Sequence, residues 1–260
     1  MPIHMNYLSC LIASLTGACA LGLAADILAA DTLAADTKVS AHAGPLTAFS
    51  QLPSLDGSAW QPLEFPNIDR HSRYRLVQEE GQQVIRAETE NSASGLIERQ
   101  TLDPEATPVL EWRWKVSNVF ENGDARTKAG DDYPARIYVA FAFEPERAGF
   151  FERAKRSAAG VFYDEEIPGT ALNYIWANRL QQGAIVPNPF SEETQMIAVT
   201  SGGDQAGEWV KVRRNIVEDY QAAFGRKPPA IIGIGIMSDS DNTGGSATAW
   251  YGDIQLRAVD

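Results

Sequence analysis

The segment KAGDDYPARIYVAFAFEP, from Lys128 to Pro145, sets two adjacent carboxylates, Asp131 and Asp132, between two cations, Lys128 and Arg136, at the entrance to an apolar run. Close carboxyl groups push each other's proton affinities apart, and glycosidases use two of them across a scissile bond. The same four residues can equally form a loop network in which the cations neutralise the carboxylates. Consecutive strand residues point to opposite faces, so Asp131 and Asp132 can share a site only in irregular backbone.

A second polar stretch, SDSDNTGGSATAWYGD, begins at Ser238. Asp239, Asp241 and Thr243 followed by Gly244 imitate the first half of a calcium loop, where alternating oxygen ligands precede a turn-forming glycine. The position that should carry a bidentate glutamate is Trp250, so the stretch is not an EF-hand. Two readings stand: a structural calcium on Asp239, Asp241 and Asn242 with help from Asp253, or a hairpin loop that needs Asn and Gly for its turn. No other cofactor is expected. His42 and His71 are the only histidines beyond the first few residues, too few for a hydrolase triad or a histidine-rich zinc site. GIGIMSD matches neither a dinucleotide fingerprint nor a phosphate loop.

These residues sit among short runs rich in β-branched and aromatic side chains, bounded by Gly, Pro, Asn or Asp: SGLIERQ, PVLEWRWKV, ARIYVAFAF, ALNYIWANR, TQMIAVTSG, GEWVKVR, AIIGIGIMS and AWYGDIQLRAV. YRLVQEEGQQVIRAETE adds a hairpin turning at Glu80-Gly81. Helical spacing is confined to EPERAGFFERAKRSA and NIVEDYQAAFG, the latter stopping at Gly225 ahead of Pro228 and Pro229. Many strands without interleaved long helices predict an all-β fold, an antiparallel β-sandwich of jelly-roll type with one or two short inserted helices.

Alternation assigns faces. It turns Leu110, Trp112, Trp114 and Val116 inward and Glu111, Arg113 and Lys115 outward; Ile137, Val139, Phe141 and Phe143 inward and Arg136 and Tyr138 outward; Ile232, Ile234 and Ile236 inward. In AWYGDIQL it places Trp250, Ile254 and Leu256 in the core and leaves Tyr251 and Asp253 outside. If these strands share a sheet, Arg113, Lys115, Arg136, Tyr138, Tyr251 and Asp253 form one ligand face with the bare backbone of Gly233 and Gly235, with Lys128, Asp131 and Asp132 as further candidate ligand residues. The plain alternative is a solvated face of cross-strand ion pairs. Core packing is the expected role of the tryptophans, with Trp60, Trp176 and Trp209 the freer ones.

The formal net charge of −12 opposes nucleic-acid binding, which gains affinity from clustered Lys and Arg. An apolar run from Tyr7 to Ala25 ending in small residues reads as an export signal, without the usual basic start. The expected plan is a signal over residues 1–30, a flexible leader over 31–44 and a β-sandwich domain over 45–260, periplasmic or extracellular. Cys10 and Cys19 fall inside the signal, which leaves the body without thiol chemistry; lipid anchoring at Cys19 is the minor alternative. No later run is long enough to span a membrane.

The order LEWRWKV, KAGDDYPARIYVAF, LNYIWAN, GEWVKVRRNIVEDYQAAFG, GIGIMSDSDNTG and AWYGDIQL resembles the bacterial domain of unknown function 3047 family, over roughly Trp60 to Leu256. The resemblance implies an exported, mainly β domain without an assigned activity. Its motif residues here are Trp114, Lys115, Lys128, Asp131, Asp132, Arg136, Asp239, Asp241, Asn242, Tyr251 and Asp253. Three functions follow as expectations: a non-catalytic binding module for a carbohydrate or similar cell-envelope ligand, a polysaccharide hydrolase or lyase with an Asp acid or base, and a structural envelope protein.

Overall fold

The alternating runs become strands, and the computed structural model describes residues 44–65, 68–147 and 168–259. The expected signal and leader before residue 44, and most of the first expected helix, lie outside the described residues. The strands are β1 (Trp60–Leu63), β2 (Arg73–Glu79), β3 (Gln82–Glu90), β4 (Ala93–Glu98), β5 (Val109–Val116), β6 (Arg136–Phe141), β7 (Thr170–Ala177), β8 (Ile185–Asn188), β9 (Ser191–Ser201), β10 (Val210–Asn215), β11 (Ile231–Asp239), β12 (Ser246–Tyr251) and β13 (Gln255–Arg257). The second expected helix is α1 (Ile216–Phe224), capped by Asn215, whose side chain accepts from the Val217 and Glu218 amides, and closed by Gly225 in the left-handed region.

A larger, seven-stranded sheet runs β1-β4-β11-β6-β7-β9-β8, and a smaller, six-stranded one runs β10-β5-β12-β3-β2 with β13 beside β5. The chain crosses between the sheets repeatedly, as in a jelly roll, although β6 to β9 all stay in the larger one, and among the named strand pairs only β7 with β9 is parallel. The fold is therefore the antiparallel sandwich read from the pattern. The β2–β3 hairpin turns on Glu80 and Gly81, both at positive φ, which is the backbone twist that a tight hairpin requires.

Aromatic side chains from both sheets form the core. Trp112 packs on Tyr174 at 5.4 Å between ring centroids, and Trp114 on Trp176 at 5.8 Å. Several polar tips buried there find partners: Trp114 Nε1 donates to Thr200, Tyr174 Oη donates to Asp219 of α1, and Tyr74 Oη donates to the Ser94 carbonyl, whereas Trp112 Nε1 has none among the described residues. Trp60 and Trp176, expected to be freer, are fully buried.

Two register shifts overturn the alternation. Tyr251 lies opposite Trp114 while Gln255 lies opposite Glu111, so one extra residue separates β12 from β13. Such an insertion swaps the faces on either side of it. Ile254 is accordingly buried, but upstream Ala247, Ala249 and Tyr251 point inward and Trp250 points out, the reverse of the expectation for Trp250 and Tyr251. In β11 a similar irregularity between Ile231 and Gly233 puts Ile231 in the core in place of Ile232. Phe143 lies beyond the end of β6.

Candidate functional site

The expected ligand residues do not share one face. Arg136 and Tyr138 belong to the larger sheet, Lys115 and Tyr251 to the smaller one, and Tyr251 is inside. Its hydroxyl donates to the Met237 carbonyl at 2.7 Å and accepts from the Arg136 amide at 3.3 Å, pinning the ends of β6 and β11 from across the core. Asp253 accepts from the Ser50 amide at 2.9 Å and from its hydroxyl at 2.6 Å, which fastens the N-terminal turn. Gly233 and Gly235 are not bare either, since a Cβ on Gly233 would stand 3.1 Å from the Ile97 side chain.

Asp131 and Asp132 do lie in irregular backbone, and both are buried. Asp132 serves the loop after β11: its carboxylate accepts from the Asn242 amide at 3.3 Å, from Asn242 Nδ2 at 3.1 Å and from the Thr243 amide at 2.5 Å. Asp131 accepts from Asn188 Nδ2 at 3.0 Å and faces Arg136 Nη1 at 3.7 Å. Arg136, 3% exposed, donates from Nε to Asp239 Oδ1 at 2.8 Å, adds a second contact to Asp239, and donates to the Asp131 carbonyl at 3.0 Å. Lys128 stays outside, with its ammonium 5.2 Å from the Phe190 ring centroid.

Burial raises the proton affinity of the Asp131 carboxyl, with the Arg136 charge opposing it. Burial opposes the Arg136 charge in turn, but the surrounding tyrosines and aspartates hold the guanidinium protonated. Burial also pushes the Tyr133 and Tyr138 phenols up. Carboxylate oxygens of Asp132, Asp239 and Asp241 come within 4.8 Å of one another, and Asp241 is raised by burial and then by the Asp132 charge. Of the side chains expected to hold calcium, Asn242 turns to Asp132, and Asp239 to Arg136.

Lys115 lies elsewhere, on the outer side of the smaller sheet, where it is itself buried beneath its neighbours, 8% exposed. It pairs with Glu79, and its ammonium stands 4.6 Å from the Trp250 centroid and 5.3 Å from that of Trp209. Arg113 stacks over Trp209 at 4.2 Å and donates to Gln82. Next to Arg113, a cleft of about 590 Å³ opens between β10, β5 and β13, lined by Gln82, Glu111, Arg113, Lys211, Arg213 and Gln255 among others. Trp250, Lys211 and Arg213 were missed as site residues. Lys211 and Arg213 were legible from the alternation of GEWVKVR; Trp250 was hidden by the register shift.

Residues 58–255 match the family model described as "Protein of unknown function (DUF3047)". No curated protein matches the chain. Among solved structures, "Cellulose induced protein, Cip1" is similar at 9% identity with a TM-score of 0.30, over 77% of this chain and 91% of that one.

Proposed function

The chain belongs to the DUF3047 family, whose description assigns no activity, and from the site itself we propose a non-catalytic binding module for a carbohydrate, engaged on the outer surface of the smaller sheet. The observation that carries the reading is the pair of partly buried tryptophans, Trp209 and Trp250, on either side of Lys115, with the open cleft beyond Arg113. Aromatic faces stack on sugar rings, while convergent polar groups fix their hydroxyls. Arg113, Gln82 and Gln255 supply donors and acceptors at the cleft wall. The reading includes export, so the ligand is a periplasmic or extracellular glycan.

Isothermal titration of the full chain with cell-wall and plant oligosaccharides tests it. Saturable binding without turnover, lost in Trp250→Ala at an unchanged melting temperature, is the expected result. Flat titrations throughout would favour the structural envelope reading.

A second reading, a polysaccharide hydrolase or lyase, has one observation in its favour. Asp131 Oδ1, Tyr133 Oη and Asn173 Oδ1 are buried without a partner in hydrogen-bond geometry, although the Asp131 carboxylate acts electrostatically on the Tyr133 phenol. Unmatched buried polar atoms call for an explanation, and a catalytic role is one. Against it, Asp131, Tyr133 and Asn173 are all at most 5% exposed. Product release abolished in Asp131→Asn with an intact fold would establish this reading; full activity of that variant would remove it.

A further inference from the structure

We propose that the glycan bound on the smaller sheet is acidic, and that Arg113 and Lys211 read a carboxylate on it. This rests on the binding-module reading and narrows it to uronate-bearing chains.

The starting point is a conflict in strand pairing. β10 lies antiparallel to β5 with Lys211 directly opposite Arg113, and both side chains line the cleft. Like charges facing each other across a ladder destabilise the pair. The next outward pair, Arg213 opposite Glu111, has opposite charges and forms an ion pair at 3.1 Å. The cation pair is thus not forced by the strand, because the neighbouring position shows how the same two strands neutralise themselves.

Among the described residues, the carboxylates on this surface are engaged elsewhere. Glu111 is shared by Arg213 and Arg257. Glu88 is shared by Arg75 and Arg86, and Glu79 is taken by Lys115. Asp253, at the cleft wall, is turned to Ser50. Arg113 finds only the neutral Gln82 and the Trp209 face, and among the described residues Lys211 makes no ion pair or side-chain hydrogen bond. The excess is positive, on a chain whose formal net charge is −12.

Room for the arrangement is built into the backbone. Gly252 lies beside the Arg113 stem, and a Cβ there would stand 2.6 Å from Arg113 Cγ. The absence of that Cβ lets the stem lie flat, so that the guanidinium sits over Trp209 at the cleft. A planar guanidinium accepts a carboxylate through two parallel hydrogen bonds, and an ammonium adds a point charge beside it. Trp209, beneath Arg113, braces the guanidinium from the other side. A uronic acid residue presents a carboxylate and hydroxyls on one ring, which matches Arg113 and Lys211 set beside the neutral Gln82 and Gln255 of the same cleft.

The test titrates the full chain with hexamers of galacturonate, glucuronate and mannuronate, each also as its methyl ester, and with a sulfated hexamer. At least one carboxylated hexamer should bind about tenfold or more tightly than its own ester, with an affinity that falls as salt rises. Lys211→Gln should weaken that binding by about tenfold while leaving the ester unaffected, and Arg113→Gln should weaken the acid by about tenfold more than it weakens the ester. Lys211→Gln should also hold or raise the melting temperature, since it removes a repulsion; a purely structural lysine would lower it. Equal affinity for acid and ester would overturn the acidic-ligand proposal while the carbohydrate reading survived. Preference for the sulfated hexamer would overturn the assignment to carboxylate. No binding of any hexamer would overturn both.

Discussion

Arg136 and Asp239 meet side to side at the ends of β6 and β11, with an Nε to Oδ1 bond of 2.8 Å and side chains 3% and 1% exposed. Desolvating two charges is costly, and the pair holds because each supplies the other's counter-charge. Asp239→Ala leaves a buried guanidinium with Asp131 as its nearest remaining carboxylate, and we expect a loss of about 3–5 kcal/mol in urea unfolding. The double replacement Arg136→Met with Asp239→Leu should recover much of that loss. A double variant as unstable as the single one would show that the position needs charge for another reason.

The register shift between β12 and β13 makes a sharp contrast between tryptophans. Trp114→Ala empties a fully buried site and should cost about 3–5 kcal/mol. Trp250→Ala removes a half-exposed ring and should cost about 1 kcal/mol or less. Comparable losses in chemical denaturation would contradict the outward placement of Trp250.

Tyr251→Phe keeps the ring and removes the hydroxyl that bridges the Arg136 amide and the Met237 carbonyl. Leaving such groups unmatched in the interior costs about 1–3 kcal/mol. The melting temperature should fall without any change in ligand affinity, since the ring never reaches the surface. A selective loss of binding would return Tyr251 to the site.

Asp131 gives a pH dependence. Burial raises its folded-state proton affinity above the ordinary value of 3.8. The native state therefore keeps this proton to higher pH than the unfolded chain does. Its contribution to stability is fully present below the unfolded value and is lost as pH rises through the raised folded one. Asp131→Asn has no proton to lose, so its stability relative to the original chain should improve between about pH 4 and neutrality. Urea midpoints of both proteins across that range check this, and a gap independent of pH would count against it.

Periodicity revealed most in the smaller sheet, whose strands bury one face more than the other, whereas β4, β6, β7 and β11 of the larger sheet are buried on both. Leu110, Trp112, Trp114 and Val116 alternate without interruption and were readable one by one. The site was less legible for three reasons. Asp131 and Asp132 lie where the chain has no period. The extra residue before β13 exchanges Trp250 with Tyr251 without leaving any mark in composition. Pairing across strands, which brings Lys211 opposite Arg113, joins residues far apart in sequence and cannot be read from either strand alone.

The larger sheet ends in β1 and β8, each four residues long and each carrying a proline, Pro62 and Pro187. Proline offers no amide hydrogen, and a strand this short gives an incoming chain few ladder positions. The smaller sheet ends in β2 and β10, which present Arg73 and Arg75 on one side and Lys211, Arg213 and Arg214 on the other. Two copies meeting rim to rim would therefore encounter missing donors at the larger sheet or mutual repulsion at the smaller one. Self-association into extended β fibres is thereby disfavoured at all four borders.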